Sequence, residues 1–231
     1  MRTIGLIGGM SWESTIIYYQ MLNRGTRDRL GGLHSAKLIM VSMDFAEIAA
    51  LQSTGDWHTA TQHMTNAALK LQNAGADCVL ICSNTMHKMA DDVSAVLNIP
   101  LIHIVDVVGN AIKTAQLKRP LLLGTSYTME QDFLTDHLRT VYELDVLVPN
   151  EIGRAEINTI IYQELCHGVI TPESREIYLG HIRDAKNAAA DCVIFGCTEI
   201  GLLLDEKTTP VPAFDTTYLH TEAALDFALS R

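Results

Sequence analysis

The stretch NAGADCVLICSNT, residues 73–85, recurs late in the chain as NAAADCVIFGCTE, residues 187–199. Six of the first seven positions are identical, and the apolar character continues in step through both stretches. Each runs into a short apolar segment of the kind that forms a buried strand. A repeat of this kind indicates a duplicated structural unit.

A second pair of similar segments lies upstream of the first. GLIGGMSWES occupies residues 5–14, and LLLGTSYTME occupies residues 121–130. The separation from Gly8 to Ser83 is 75 residues, and the corresponding separation in the second copy is 73 residues. Two pairs at matching separations favour duplication over a chance match. The chain is therefore predicted to contain two copies of one unit.

Short β-rich apolar runs alternate with longer helical patterns, which indicates an α/β fold with parallel sheets. We expect two pseudosymmetric domains, each a parallel sheet flanked by helices. The N-terminal domain is predicted over residues 1–98 plus 210–231, and the C-terminal domain over residues 99–209. Because ligands of such sheets bind outside the carboxyl ends of the strands, the active site is expected in the cleft between the domains.

Composition excludes several classes of function. The 231 residues carry a formal net charge of −10 and show no basic stripe, so we expect no nucleic-acid partner. The apolar N-terminus breaks at Gly8-Gly9, which is too short for a signal peptide or a membrane helix, so we expect a cytoplasmic protein with no membrane partner. Five scattered cysteines do not indicate a disulfide framework. Each is interpreted as core filler or as a reactive thiol.

The repeat aligns Ser83 with Cys197, each directly after a predicted buried strand. They are expected to face each other across the cleft, which suits a reaction at two opposite faces of one carbon. Cys197 precedes a short predicted helix, whose N–H groups could lower the thiol pKa, although a buried core cysteine is the alternative. Successive strand side chains point to opposite faces, so Cys82 is predicted to pack in the core.

The motifs GLIGGMSWEST, CSNTMH and GCTEIGLL, taken in this order and spacing, resemble the aspartate/glutamate racemase family. The resemblance covers essentially the whole chain. It implies a racemase that needs no pyridoxal phosphate or other cofactor, acts on aspartate, glutamate or a related amino acid as a small-molecule substrate, and forms a homodimer. In the family a cysteine from each domain serves as acid and base. Cys197 matches the second cysteine, whereas Ser83 stands where the first is expected.

This departure implies a one-sided catalyst. In related racemases the C-terminal cysteine takes the proton from the L-enantiomer, so Cys197 is expected to deprotonate L-substrates. A serine hydroxyl is a far poorer base than a thiol, so Ser83 should serve D-substrates badly. Enantiomers have an equilibrium constant of one, so kcat/KM for net racemisation stays equal in both directions. We expect fast exchange of the L-substrate's α-hydrogen and slower net racemisation.

Several further residues are candidates for holding the substrate. Donors that could bind its carboxylate are Met10, Ser11 and Ser14 in the first glycine loop, Asn84 and Thr85 beside Ser83, Thr125 in the equivalent turn, and Thr198 beside Cys197. The loop residues could instead simply cap a helix. Glu199 is expected to orient the substrate's ammonium group or to cap the next helix. The resemblance implies that Gln52 approaches the substrate's side-chain end. His87 has no partner at metal-ligand spacing, so no metal site is expected.

Two other functions stay open at this point. A single C-terminal thiol could protonate a carbanion on one face only, as an isomerase or decarboxylase of a small dicarboxylate would require. The serine at a catalytic position also allows an amino-acid binding protein that has lost catalysis. The choice of amino acid is not decided by the sequence, because no Arg or Lys stands beside Gln52.

Overall fold

The computed structural model describes residues 1–205 and 207–230. The chain divides into two compact units, the first comprising Met1–His103 and the residues from His220 onward, and the second comprising Ile104–Leu219. Each unit has its own three-stranded parallel sheet flanked by helices. The predicted α/β class, with one parallel sheet in each of two units, is confirmed.

The first unit is built on a sheet of order β2-β1-β3. Its strands are β1 (Ile4–Gly8), β2 (Leu38–Ser42) and β3 (Cys78–Ile81). Its helices are α1 (Trp12–Leu30), α2 (Phe45–Thr54), α3 (Trp57–Asn73) and α4 (Ala90–Ala95), with a 3₁₀ turn over Thr85–Met89.

The second unit is built on a sheet of order β4-β5-β6. Its strands are β4 (Pro120–Gly124), β5 (Cys192–Gly196) and β6 (Ala213–Asp215). Its helices are α5 (Ile104–Thr114), α6 (Ser126–Glu130), α7 (Asp132–Tyr142), α8 (Glu151–Gln163), α9 (Pro172–Asn187) and α10 (Ile200–Leu203), with a 3₁₀ turn over Leu165–His167. Helix α11 (Thr216–Leu229) begins in this unit and continues into the first.

Both boundaries, after His103 and after Leu219, lie later in the chain than those predicted from the sequence, which divided it into 1–98, 99–209 and 210–231. The second unit extends to Leu219 because β6 pairs in parallel with β5 and so belongs to the second sheet. Arg231, the last residue of the predicted range, lies outside the described residues.

Each repeat stretch pairs with the first strand of its own sheet, and the register of pairing is the same in both units. β3 lies beside β1 with Cys78 opposite Ile4, and β5 lies beside β4 with Cys192 opposite Pro120. Side chains alternate between the faces in both strands, so successive residues enter different core clusters. The duplication seen in the sequence is therefore repeated in the strand pairing of each unit.

The aspartate of each repeat explains part of that register. Asp77 accepts a hydrogen bond from the backbone N–H of Thr3 at 2.6 Å. In the second unit Asp191 accepts from the backbone N–H groups of Lys118 and Arg119 at 2.7 and 2.9 Å. Each carboxylate thus ties the start of its strand to the start of the neighbouring strand, and charge assistance makes such bonds stronger than neutral ones.

Two segments with strand-like composition do not form strands. Leu101–Ile104 and Leu144–Val148 make only single parallel bridges, to Val79 and Leu121 respectively. The first is cut short because α5 begins at Ile104. Helix α5 was not predicted, since its β-branched residues favour strands, but burial of one face overrides that local preference.

The helix starts follow their capping residues. Thr171 accepts from the backbone N–H of Ser174, with Pro172 in the first turn, and these two residues account for the start of α9. Residues 129–138 have a helical pattern but are divided between α6 and α7, because Gln131 adopts an extended backbone. Among the described residues, no helix combines the length and apolarity needed to cross a membrane.

Gly9, directly after β1, is predicted to be irreplaceable for steric reasons. Its φ is +85°, and a Cβ there would lie 2.2 Å from the carbonyl oxygen of Met43. Gly55, after α2, also has a positive φ, of +71°, but a Cβ there would meet open space. We expect Gly9→Ala to lower the free energy of unfolding by more than about 3 kcal/mol and Gly55→Ala by about 1 kcal/mol. Urea denaturation measures both, and equal losses would contradict the close-approach argument.

Candidate active site

In the first unit, the loops that follow β1 and β3 leave the same edge of the sheet. These strands are parallel neighbours, with Ile7 opposite Ile81, so their carboxyl ends lie side by side. The loop after β1 contains Met10, which packs in the same core cluster as Met86 of the loop after β3. The strand pairing therefore brings the first glycine loop and the CSNTMH segment together.

The first glycine loop caps α1. Ser11 accepts from the backbone N–H of Ser14, and the two hydroxyl oxygens lie 3.2 Å apart. The backbone N–H of Gly9 donates to the hydroxyl of Thr15 at 2.8 Å. The helix-capping role is confirmed for Ser11, and its hydroxyl and that of Ser14 are both buried. Substrate binding by Met10, Ser11 and Ser14 stays a prediction.

Ser83 follows β3 and is 9% exposed. Its carbonyl oxygen lies 2.7 Å from Nδ1 of His87. A carbonyl can only accept, so Nδ1 of His87 carries the hydrogen. His87 is thus a buried residue that fixes the backbone at Ser83.

His87 belongs to a cluster of three imidazoles within the first unit. Its ring centroid lies 5.0 Å from that of His103 and 5.6 Å from that of His220. Burial lowers the pKa of His87 well below its usual value, and the neighbouring rings of His103 and His220 lower it further to a smaller extent. Burial also lowers the pKa of His220 to about 4, and this ring bonds the carbonyl of Ile102 and the hydroxyl of Tyr18. His87 and His220 are therefore uncharged at neutral pH.

Cys82 is a core residue, as predicted. Its side chain is 0% exposed and packs with Leu80 and Tyr18 on one face of the sheet, whereas Ile81 faces the opposite cluster. Burial raises the pKa of its thiol far above the usual range. Gly196 occupies the equivalent place in the second unit, where a Cβ would lie 2.7 Å from Leu122.

The remaining first-unit candidates are all buried. Gln52 lies in α2, and its Nε2 is 3.2 Å from the sulfur of Met86, so its amide reaches the segment that follows Ser83. Asn84 and Thr85 are buried directly after Ser83, at the start of the 3₁₀ turn. The substrate-binding role of each of these residues stays a prediction.

The second unit repeats this arrangement at the ends of β4 and β5. Gly124 lies opposite Gly196 in the paired strands, so Thr125 and Cys197 follow directly at the same edge. Thr125 caps α6 by accepting from the backbone N–H of Thr128, and their hydroxyl oxygens lie 3.0 Å apart. Thr125 therefore has the same capping role as Ser11 of the first unit.

Cys197 is 9% exposed and donates its thiol hydrogen to Glu199. Its Sγ lies 3.0 Å from Oε2 of Glu199, and the hydroxyl of Thr198 donates to the same oxygen at 2.6 Å. Glu199 makes no side-chain capping bond to α10. Among the described contacts, the carboxylate of Glu199 therefore accepts hydrogen bonds from Cys197 and Thr198.

The environment of Cys197 differs from the one expected from sequence. Burial, and then the charge and hydrogen bond of Glu199, raise the pKa of the Cys197 thiol well above its usual value. The expected net lowering of this pKa is wrong: the backbone N–H of Glu199, at the start of α10, does lower it, but burial and the carboxylate of Glu199 outweigh that effect. At neutral pH the residue is therefore a thiol.

Sequence reasoning missed a second thiol beside this carboxylate. Sγ of Cys166, in the 3₁₀ turn after α8, lies 3.8 Å from Oε1 of Glu199. The side chain of Cys166 is half-buried. Its spacing from Cys197 carries no local pattern, so only the tertiary fold could reveal this contact.

These paired strand-end loops lie within a region that matches a known family. The profile of the Asp/Glu/hydantoin racemase family matches residues 7–224. The chain belongs to the Asp/Glu/hydantoin racemase family. The match includes the loop after β1, Ser83 and Cys197, and this confirms the family resemblance noted in the sequence.

Solved structures agree with membership of the racemase family. A candidate Asp/Glu racemase from Yersinia pestis is 48% identical, with a TM-score of 0.93 and full coverage of both chains. An aspartate racemase homologue from Pyrococcus horikoshii is 32% identical, with a TM-score of 0.88 and full coverage of both chains. A broad-specificity amino-acid racemase of Bacillus subtilis is 23% identical over 158 residues, 65% of this chain. The chain spans 64% of that relative's length.

Substitutions at Cys82 and Ser83 should distinguish a side chain that stabilises the core from one that does not. Cys82→Ser places a hydroxyl in an apolar core and should lower the free energy of unfolding by about 1–3 kcal/mol. Ser83→Ala, one residue later, should change it by less than about 0.5 kcal/mol, because the His87 bond is to the backbone of Ser83. Urea denaturation of both variants provides the comparison. A larger loss for Ser83→Ala would contradict the assignment of Cys82 to the core.

Proposed function

We propose that this protein is an amino-acid racemase that acts on aspartate, glutamate or a close relative without a cofactor. Cys197 takes the α-proton of the L-enantiomer, and Ser83 serves the opposite face of the same carbon. The observation that supports this most is the buried Cys197 thiol in contact with Glu199, at the end of β5 in a chain of the racemase family. Ser83 follows the equivalent strand of the first unit.

The two positions differ in chemical strength, and this gives the proposed reaction its bias. A thiol has an ordinary pKa of about 8.5, so it exchanges protons far more readily than a serine hydroxyl. Cys197 also has a carboxylate at 3.0 Å to receive its proton. Ser83 can donate a proton or hold a water but makes a weak base. Deprotonation of L-substrates should therefore be fast and that of D-substrates slow.

Substrate binding is proposed to use the donors at the strand ends. The substrate carboxylate would be held by the hydroxyl and backbone groups of Ser11, Ser14, Thr85 and Thr198, with Met10, Asn84 and Thr125 lining the same loops. Gln52 is proposed to approach the substrate's side-chain end. An amide can bond a carboxylate or another amide, so this residue allows several acidic or amide side chains.

Proton NMR in deuterated buffer tests the proposal with L- and D-glutamate and L- and D-aspartate. The wild type should exchange the α-hydrogen of the L-enantiomer faster than that of the D-enantiomer. Cys197→Ser should lower L-side exchange by at least about 100-fold, the usual contribution of a positioned acid or base. Ser83→Cys should raise D-side exchange. Equal exchange of both enantiomers by the wild type would contradict the one-sided mechanism.

The same samples distinguish the competing functions. A decarboxylase or isomerase of small dicarboxylates would consume malonate-type compounds and leave acidic amino acids untouched. A binding protein without catalysis would retain ligand affinity and show no exchange with either enantiomer. Loss of exchange in Cys197→Ala with unchanged ligand affinity would rule out that second alternative.

A further inference from the structure

Glu199 is the point where three donors of the second unit converge. Sγ of Cys197 and Oγ1 of Thr198 both bond Oε2, at 3.0 and 2.6 Å, and Sγ of Cys166 lies 3.8 Å from Oε1. The side chain of Glu199 is 3% exposed. A carboxylate this buried must be satisfied by hydrogen bonds, and these donors supply them. Its orientation toward Cys197 is therefore fixed before any substrate arrives.

We propose that Glu199 accepts the thiol proton of Cys197 and so forms the thiolate that attacks the L-substrate. This inference rests on the proposed racemase function and gives Glu199 a role other than orienting the ammonium group. Glu199 acts on the substrate through the sulfur of Cys197. Thr198 and Cys166 hold the carboxylate in place for that transfer.

Electrostatics favour a shared proton over an independent thiolate. Burial and the charge of Glu199 both raise the pKa of the Cys197 thiol, so a thiolate beside an ionised carboxylate is strongly disfavoured. If the proton moves from Sγ to Oε2, the pair keeps a single negative charge. The two groups then titrate as one unit, and the thiolate form is a minor tautomer of that unit.

The proposed steps balance in protons and charge. The Sγ–H proton of Cys197 moves to Oε2 of Glu199, and the thiolate then takes the α-hydrogen as a proton, leaving a carbanion. Ser83 donates its hydroxyl proton to the other face of that carbon and recovers one from water. Glu199 releases its proton to water. No electrons are gained or lost, and Cys197, Glu199 and Ser83 all return to their starting states.

A shared proton predicts a distinctive dependence on pH. In the wild type the thiolate tautomer is a constant fraction of the singly charged pair, so its reactivity should be nearly flat from about pH 6 to pH 8.5. In Glu199→Gln the thiol has no proton acceptor at Oε2 and loses the neighbouring negative charge. Its reactivity should rise about tenfold per pH unit, because only free thiolate reacts.

Alkylation of Cys197 by iodoacetamide measures this profile without any substrate, with mass spectrometry of the Cys197 peptide as the readout. Glu164→Gln is the matched control, since Glu164 lies in the same unit and accepts from Ser174 and Thr171. The control should keep the wild-type profile. Glu199→Asp, which keeps the carboxylate on a shorter side chain, should retain a flat profile at a lower rate. Parallel profiles for wild type and Glu199→Gln would overturn the proposal.

Exchange of the α-hydrogen of L-glutamate links the profile to catalysis. At pH 7 Glu199→Gln should exchange at least about tenfold more slowly than the wild type, and the deficit should narrow as pH rises. A deficit that is constant with pH would overturn the proton-acceptor role. If neither the wild type nor any variant exchanges the α-hydrogen of any amino acid tested, the proposed racemase function fails. The alkylation profiles still decide the role of Glu199 in that case.

Discussion

The parallel pairing of the two repeat strands, each with the first strand of its own sheet, is the constraint on which the rest depends. Side by side in this register, β1 and β3 end together in the first unit, as do β4 and β5 in the second. Asp77 and Asp191 tie the starts of these pairs with backbone hydrogen bonds. Residues far apart in sequence are thereby brought to one sheet edge in each unit.

The chemistry at the two edges differs because their polar partners differ. In the second unit burial of the Cys197 thiol, together with the carboxylate that lies against its sulfur, raises the thiol pKa, so the thiol keeps its proton at neutral pH. In the first unit His87 is uncharged and bonds the carbonyl of Ser83. One edge thus holds an anionic pair, and the other holds a backbone fixed by a neutral imidazole. The same strand geometry therefore holds groups of different charge at the two sheet edges.

The fold was accessible from the sequence because it rests on regular patterns. The repeat and the buried apolar runs predicted both sheets, and period-two alternation correctly assigned Cys82 to the core. The segment near Leu101 has a strand-like composition but makes a single bridge, and composition cannot distinguish the two. Helix α5 was missed because its β-branched residues resemble a strand until their burial is known.

The electrostatics of the site were not accessible in the same way. Sequence placed Glu199 two residues after Cys197, but only the fold shows its carboxylate turned back onto the sulfur. Cys166 reaches the same carboxylate from a different turn, and His220 reaches His87 from the far end of the chain. A pKa depends on such distant neighbours and on burial, so its direction required three-dimensional positions.

The central claim is that one substrate carbon is served by Cys197 on one face and by Ser83 on the other. A crystal structure with α-methylglutamate, which has no α-hydrogen to lose, tests this most directly. The account predicts Sγ of Cys197 and Oγ of Ser83 on opposite sides of the α-carbon, each within about 3.5 Å of it or joined to it through one water. An α-carbon within reach of only one of these atoms, or of neither, would contradict it.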